Sequence, residues 1–136
     1  MRPQESGYPR GSVVIVDDDP DVRGTLALYL RSARYQAVIA DRRDNVLSVV
    51  RVARPRAIVL DVGSDPSTNT DIIEGIRGDT HLARTPLIGL TTCSGPDEIA
   101  QIKAAGYDAV LLKPVSRDLL VESVRRVVDQ GTPREK

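Results

Sequence analysis

Ala57-Ile58-Val59-Leu60-Asp61 is an apolar run that stops on a carboxylate. Such a run, rich in β-branched residues and preceded by Pro55, predicts a strand buried on both faces. Its terminal acid is left where the strand emerges from the core. Val13-Val14-Ile15-Val16 followed by Asp17-Asp18-Asp19 repeats the pattern. Two buried strands ending in acids predict one acidic pocket, and the other motifs can be placed by asking what else converges on it.

Outward from this pair, further apolar runs at Tyr35 to Ala40, Leu87 to Leu90 and Ala109 to Leu112 read as strands, and the stretches between them carry helical spacing. Asp19-Pro20 supplies an N-cap and a first-turn proline for a helix with Val22, Leu26, Tyr29 and Leu30 inward. Asp41 is expected to cap a helix facing inward through Val46, Val49, Val50 and Ala53. Ile72, Ile73 and Ile76 predict a third helix ending near Gly78, and Pro96 opens a fourth, with Ile99 and Ile102 inward and Gly106 as its stop. Leu119, Leu120, Val124, Val127 and Val128 predict a last amphipathic helix. Residues 62–69 are rich in turn formers and read as a loop over the pocket. Five strands alternating with five helices give an α/β domain, a doubly wound parallel sheet with helices on both faces. The expected domain spans residues 12–130, with a flexible arm at 1–11 and a flexible tail at 131–136.

At 136 residues the chain is sized for one domain. Lys plus Arg and Asp plus Glu number 19 each, and the aromatics are four tyrosines without Phe or Trp. Neither a basic surface nor a stacking platform for nucleic acid is therefore expected. The single cysteine, Cys93, excludes an intrachain disulfide and a Cys-rich metal cluster. No apolar run approaches the ~20 residues of a membrane span, and the N-terminus has no hydrophobic leader. A soluble cytoplasmic protein with no membrane association is expected.

In a doubly wound sheet, polar groups collect at the carboxyl ends of the strands. Here that places Asp17, Asp18, Asp61, Thr91 and Lys113 together. Clustered carboxylates remain ionised only around a cation, and an oxygen-only donor set without His or Cys suits Mg2+. Lys113 adds a positive charge and Thr91 a hydroxyl donor beside Asp61, an arrangement fitted to phosphoryl transfer with Asp61 as nucleophile.

These landmarks, Val14-Ile15-Val16-Asp17-Asp18-Asp19, Ile58-Val59-Leu60-Asp61, Leu90-Thr91-Thr92 and Leu111-Leu112-Lys113-Pro114, resemble in order and spacing the receiver domain of bacterial response regulators. The resemblance implies a flavodoxin-like sheet of order 2-1-3-4-5. It implies phosphorylation of Asp61 by a histidine kinase or phosphotransfer protein, with Mg2+ held by Asp18, Asp61 and the Gly63 carbonyl and by Asp17 through water. Thr91 and Lys113 would hold the phosphate, the Lys113-Pro114 bond would be cis, and chemistry would be limited to self-phosphorylation and self-dephosphorylation. A stand-alone module, monomeric or weakly dimeric, would signal to an unknown downstream protein through helix four, strand five and helix five.

The chain departs from the family pattern at several places. Ser64, Asp65 and Asn69 stand where a hydrophobic residue, Pro and Gly are usual, Pro66 falls one step late, and Thr92 replaces a small residue. Val110 takes the place of the aromatic switch on strand five. Gly63 and Cys93 sit where the family tunes water access to the acyl phosphate, and neither suits orienting water, so a long-lived phosphorylated state is expected. His81, the only histidine, is expected to be exposed and not a phosphodonor. The rival readings are a phosphatase of the haloacid dehalogenase type, which lacks here a later acidic pair and a cap domain, and a pseudo-receiver that keeps the fold as a binding surface without phosphorylation.

Overall fold

The structure, a computed structural model, describes residues 10–40, 45–63, 65 and 67–130. Residues 1–9 of the expected arm, the Asp41 cap, Ser64, Pro66 and the tail at 131–136 lie outside them.

The elements run β1 (Ser12–Val16), α1 (Pro20–Ser32), β2 (Gln36–Ile39), α2 (Val46–Ala53), β3 (Ala57–Gly63), α3 (Thr70–Arg77), β4 (Leu87–Thr91), α4 (Pro96–Ala104), β5 (Ala109–Leu112) and α5 (Arg117–Gln130). All strand pairs are parallel and the sheet order is β2-β1-β3-β4-β5, as the resemblance implied. Strand alternation sorts the core into two layers. Val13, Ile15, Ala57, Val59, Ile88 and Leu90 pack with α1 and α5. Val14, Val16, Ile58, Leu60, Val62 and Leu87 pack with α2, α3 and α4. Buried on both faces, β1 and β3 hold the acids at their ends where the core stops.

Several details differ from the sequence reading. β3 runs on to Gly63, and its register with β4 shifts between Asp61 and Gly63. A bulge of this kind re-aims side chains at a strand end. On α5 Leu119 is exposed, while Val121 is buried, because the helix turns Leu120, Val121, Val124 and Val127 toward the sheet. Val49, Ala53, Ile99 and Val128 are only partly buried.

Caps behave as their chemistry requires. Asp19 Oδ1 accepts from the amides of Asp21 and Val22, so this acid serves α1 rather than the pocket. At the far end of the sheet Arg77 donates to the carbonyls of Ala83 and Thr85 (2.9 and 2.7 Å), to Gly106 O and to Asp108 Oδ2 (both 3.3 Å). That guanidinium ties the end of α3 to the turns preceding β4 and β5. Among the described residues no helix is long and apolar enough to cross a membrane.

Candidate functional site

Asp17 continues the parity of Val13 and Ile15 on β1, Asp61 that of Ala57 and Val59 on β3, and Lys113 that of Ala109 and Leu111 on β5. These side chains therefore leave the sheet on the α1/α5 side. The Lys113 ammonium reaches across β4 and lies 2.9 Å from Asp17 Oδ2 and 2.9 Å from Asp61 Oδ1. Asp17 is buried, its Oδ1 accepting from the Asp19 amide at 2.9 Å, while the side chains of Asp61 and Lys113 each keep 19% of their surface. Burial alone would lower the Lys113 pKa, but the hydrogen bonds and charges of Asp61 and Asp17 outweigh it and hold it above the ordinary lysine value.

Thr91, fully buried, comes to the site from β4. Its hydroxyl donates to the Gly63 carbonyl at 2.8 Å and accepts from the Cys93 amide at 3.0 Å. Gly63 adopts φ +69°, in the left-handed region that favours glycine, and its amide donates to Asp61 Oδ1 at 3.1 Å. Asp18, next in the chain to Asp17, is exposed. The structure thus brings together Asp17, Asp61 and Lys113, and pairs Thr91 with Gly63.

As donors for a metal, the expected ligands Asp17, Asp18, Asp61 and the Gly63 carbonyl are all hard oxygens, which fits Mg2+ in kind. Among the described residues, however, no three His, Cys, Asp or Glu side chains are gathered into a ready-made metal cage. Asp17 and Asp61 instead share the Lys113 ammonium.

The departures from the family pattern also find places. Asp65 is exposed and turned to its own loop, where its carboxylate accepts from the Ser67 amide and hydroxyl at 2.9 and 2.8 Å. These bonds hold its pKa below the usual carboxylate value. Asn69 has φ −109°, so the left-handed geometry that a glycine there would permit is not used. Thr92 is exposed and lines an apolar groove of about 430 Å³ between α1 and the turn after β5. His81 is exposed, as expected. The Lys113-Pro114 bond is cis.

Tyr107 was not singled out by the sequence reading. It is buried, and its hydroxyl lies 2.7 Å from Asn69 Nδ2. The available signal was compositional: in a chain with four tyrosines and no other large aromatic, one sits between Gly106 and Asp108 at a turn.

The family model described as the response regulator receiver domain matches residues 13–125. The chain is 26% identical over 120 residues to the transcriptional regulatory protein KdpE of Mycobacterium tuberculosis, spanning 88% of this chain and 52% of that protein. It is 25% identical over 122 residues to the autoinducer sensor kinase/phosphatase CqsS of Vibrio cholerae, spanning 89% of this chain and 18% of that protein. The chain therefore covers about half of the first relative and less of the second. Among solved structures it is similar to the chemotaxis protein CheY4 of Vibrio cholerae, with a TM-score of 0.76 and 27% identity over 86% of this chain and 98% of that one. With its sheet order, its acids at the ends of β1 and β3 and a match over residues 13–125, the chain belongs to the response regulator receiver domain family of two-component signalling.

Proposed function

We propose that Asp61 accepts a phosphoryl group from a phosphohistidine on a histidine kinase or phosphotransfer protein. Receiver domains interact with such partners and generally bind Mg2+ at the phosphorylation site. The observation that carries the reading is the Lys113 ammonium held 2.9 Å from both Asp17 and Asp61. It fixes a positive charge beside the carboxylate that would receive the phosphoryl group. In the transfer an Asp61 oxygen forms a bond to phosphorus as the P–N bond breaks, and the electron pair leaves on the imidazole nitrogen. Lys113 would balance the incoming oxygens, and Thr91 would offer its hydroxyl to one of them. Mg2+, held by Asp18, Asp61 and the Gly63 carbonyl, with Asp17 acting through water, would supply further positive charge when bound. The signal would leave by contact with an unknown protein target, in a cytoplasmic setting.

Val110, standing where the family carries its aromatic switch, favours a second reading, a pseudo-receiver that binds its partner without phosphorylation. Incubation of the wild type and Asp61→Asn with acetyl phosphate and Mg2+, followed by intact-mass measurement, separates the two. One phosphoryl adduct is expected on the wild type and none on the variant. An unmodified wild type overturns the phosphoacceptor reading.

A further inference from the structure

Val110 leaves β5 without the family's aromatic side chain, yet a ring does lie against that face of the sheet. It comes from Tyr107, whose ring packs on Gly89 of β4, the residue paired with Val110. A Cβ at Gly89 would fall 3.0 Å from Tyr107 Cδ1 and 2.9 Å from Val62 Cγ2, so the ring fits only because position 89 has no side chain. At the other end of the ring, Asn69 Nδ2 lies 2.7 Å from the Tyr107 hydroxyl and donates to the Asp61 carbonyl at 3.1 Å. A carbonyl can only accept, which fixes the orientation of the Asn69 amide and directs both of its N–H groups to these two oxygens.

We propose that the Asn69–Tyr107 hydrogen bond couples the state of Asp61 to the turn between α4 and β5. The proposal rests on the phosphoacceptor reading of Asp61. Phosphorylation there would add about −1.5 to −2 charge by analogy with other phosphorylated side chains. The Asp61 carbonyl lies beside the register shift of β3, where the backbone departs from regular pairing. A movement of that peptide acts on the Asn69 amide and then on the Tyr107 hydroxyl. The ring is buried against Gly89 and has little room to absorb the displacement by itself. Its neighbours are tied down: Asp108 Oδ2 accepts from the Leu87 amide at 2.8 Å, and the Gly106 amide donates to Lys103 O at 3.1 Å. Displacement of the ring is thereby passed to the last turn of α4.

Amide NMR spectra of the full chain with Mg2+ and beryllofluoride, a phosphoryl mimic, test this directly. In the wild type, shifts are expected at Asp61 and Gly63 and also at Lys103, Gly106 and Asp108. Tyr107→Phe, which keeps the ring and removes only the hydroxyl, should retain the first set and lose the second. Asn69→Ala provides an independent arm with the same expected loss. Shifts at the α4–β5 turn that persist in folded Tyr107→Phe overturn the coupling. Absence of any wild-type shift at Asp61 and Gly63 instead overturns the phosphoacceptor reading, and the coupling falls with it.

Discussion

Replacing Lys113 with Met tests the charge arrangement of the site, because it removes the ammonium while retaining most of the side chain's length. In the wild type, Asp17 and Asp61 face that nitrogen from 2.9 Å each. Without it, their repulsion across at most ~6 Å at an effective dielectric of ~20 is at least about 3 kcal/mol. Breaking a buried ion pair by removing one partner costs about 3–5 kcal/mol, and partial exposure of Lys113 and Asp61 reduces that figure. The expected loss is about 2–4 kcal/mol, or roughly 6–15 °C in Tm for a domain of this size. Urea and thermal unfolding with and without Mg2+ measure it. The ion would take over the neutralising role of the ammonium, so Mg2+ should restore more stability to Lys113→Met than it adds to the wild type. Its affinity should tighten by about tenfold or more, equivalent to ~1.4 kcal/mol. Since the folded Lys113 pKa is raised, its contribution is fully present below the unfolded value of ~10.4 and is lost as pH rises through the folded value. On the alkaline side the gap between wild type and variant should close in that range. A loss under ~0.5 kcal/mol, or equal Mg2+ stabilisation of both proteins, would refute the reasoning.

Thr91→Val keeps the shape of a fully buried side chain but leaves the Gly63 carbonyl and Cys93 amide without their hydroxyl partner. Chemical denaturation should show a loss of about 1–3 kcal/mol. Gly89→Ala forces a methyl group against Val62 and Tyr107 and should destabilise the fold by about 1–3 kcal/mol, with Tyr107 ring resonances shifted in the NMR spectrum. If Asp61 is phosphorylated, Gly63 and Cys93 should leave its acyl phosphate long-lived, and loss of label from purified phosphoprotein within seconds would contradict this.

The sheet was legible because β1, β3 and β4 are short apolar runs buried on both faces, with no period-two pattern to confuse them with edge strands. The acids were legible because a carboxylate after such a run has to sit where the core ends. Leu119 misled because the spacing of hydrophobic residues on α5 admits more than one inward face, and contact with the sheet selects the one containing Val121. The Asn69–Tyr107 contact was not legible: its partners are far apart in the chain, and neither residue type announces a pairing. The sharing of Lys113 by two acids likewise depended on strand order, which local pattern does not supply.

The Thr91 hydroxyl carries one proton, and in this arrangement the Gly63 carbonyl holds it. A phosphoryl oxygen at Asp61 would accept a hydrogen bond from that hydroxyl only if the hydroxyl turned away from the carbonyl. If Asp61 accepts phosphate, its arrival and retention of the Gly63 carbonyl's bond would be alternatives on a single hydrogen, so occupancy at one oxygen would be read at the other.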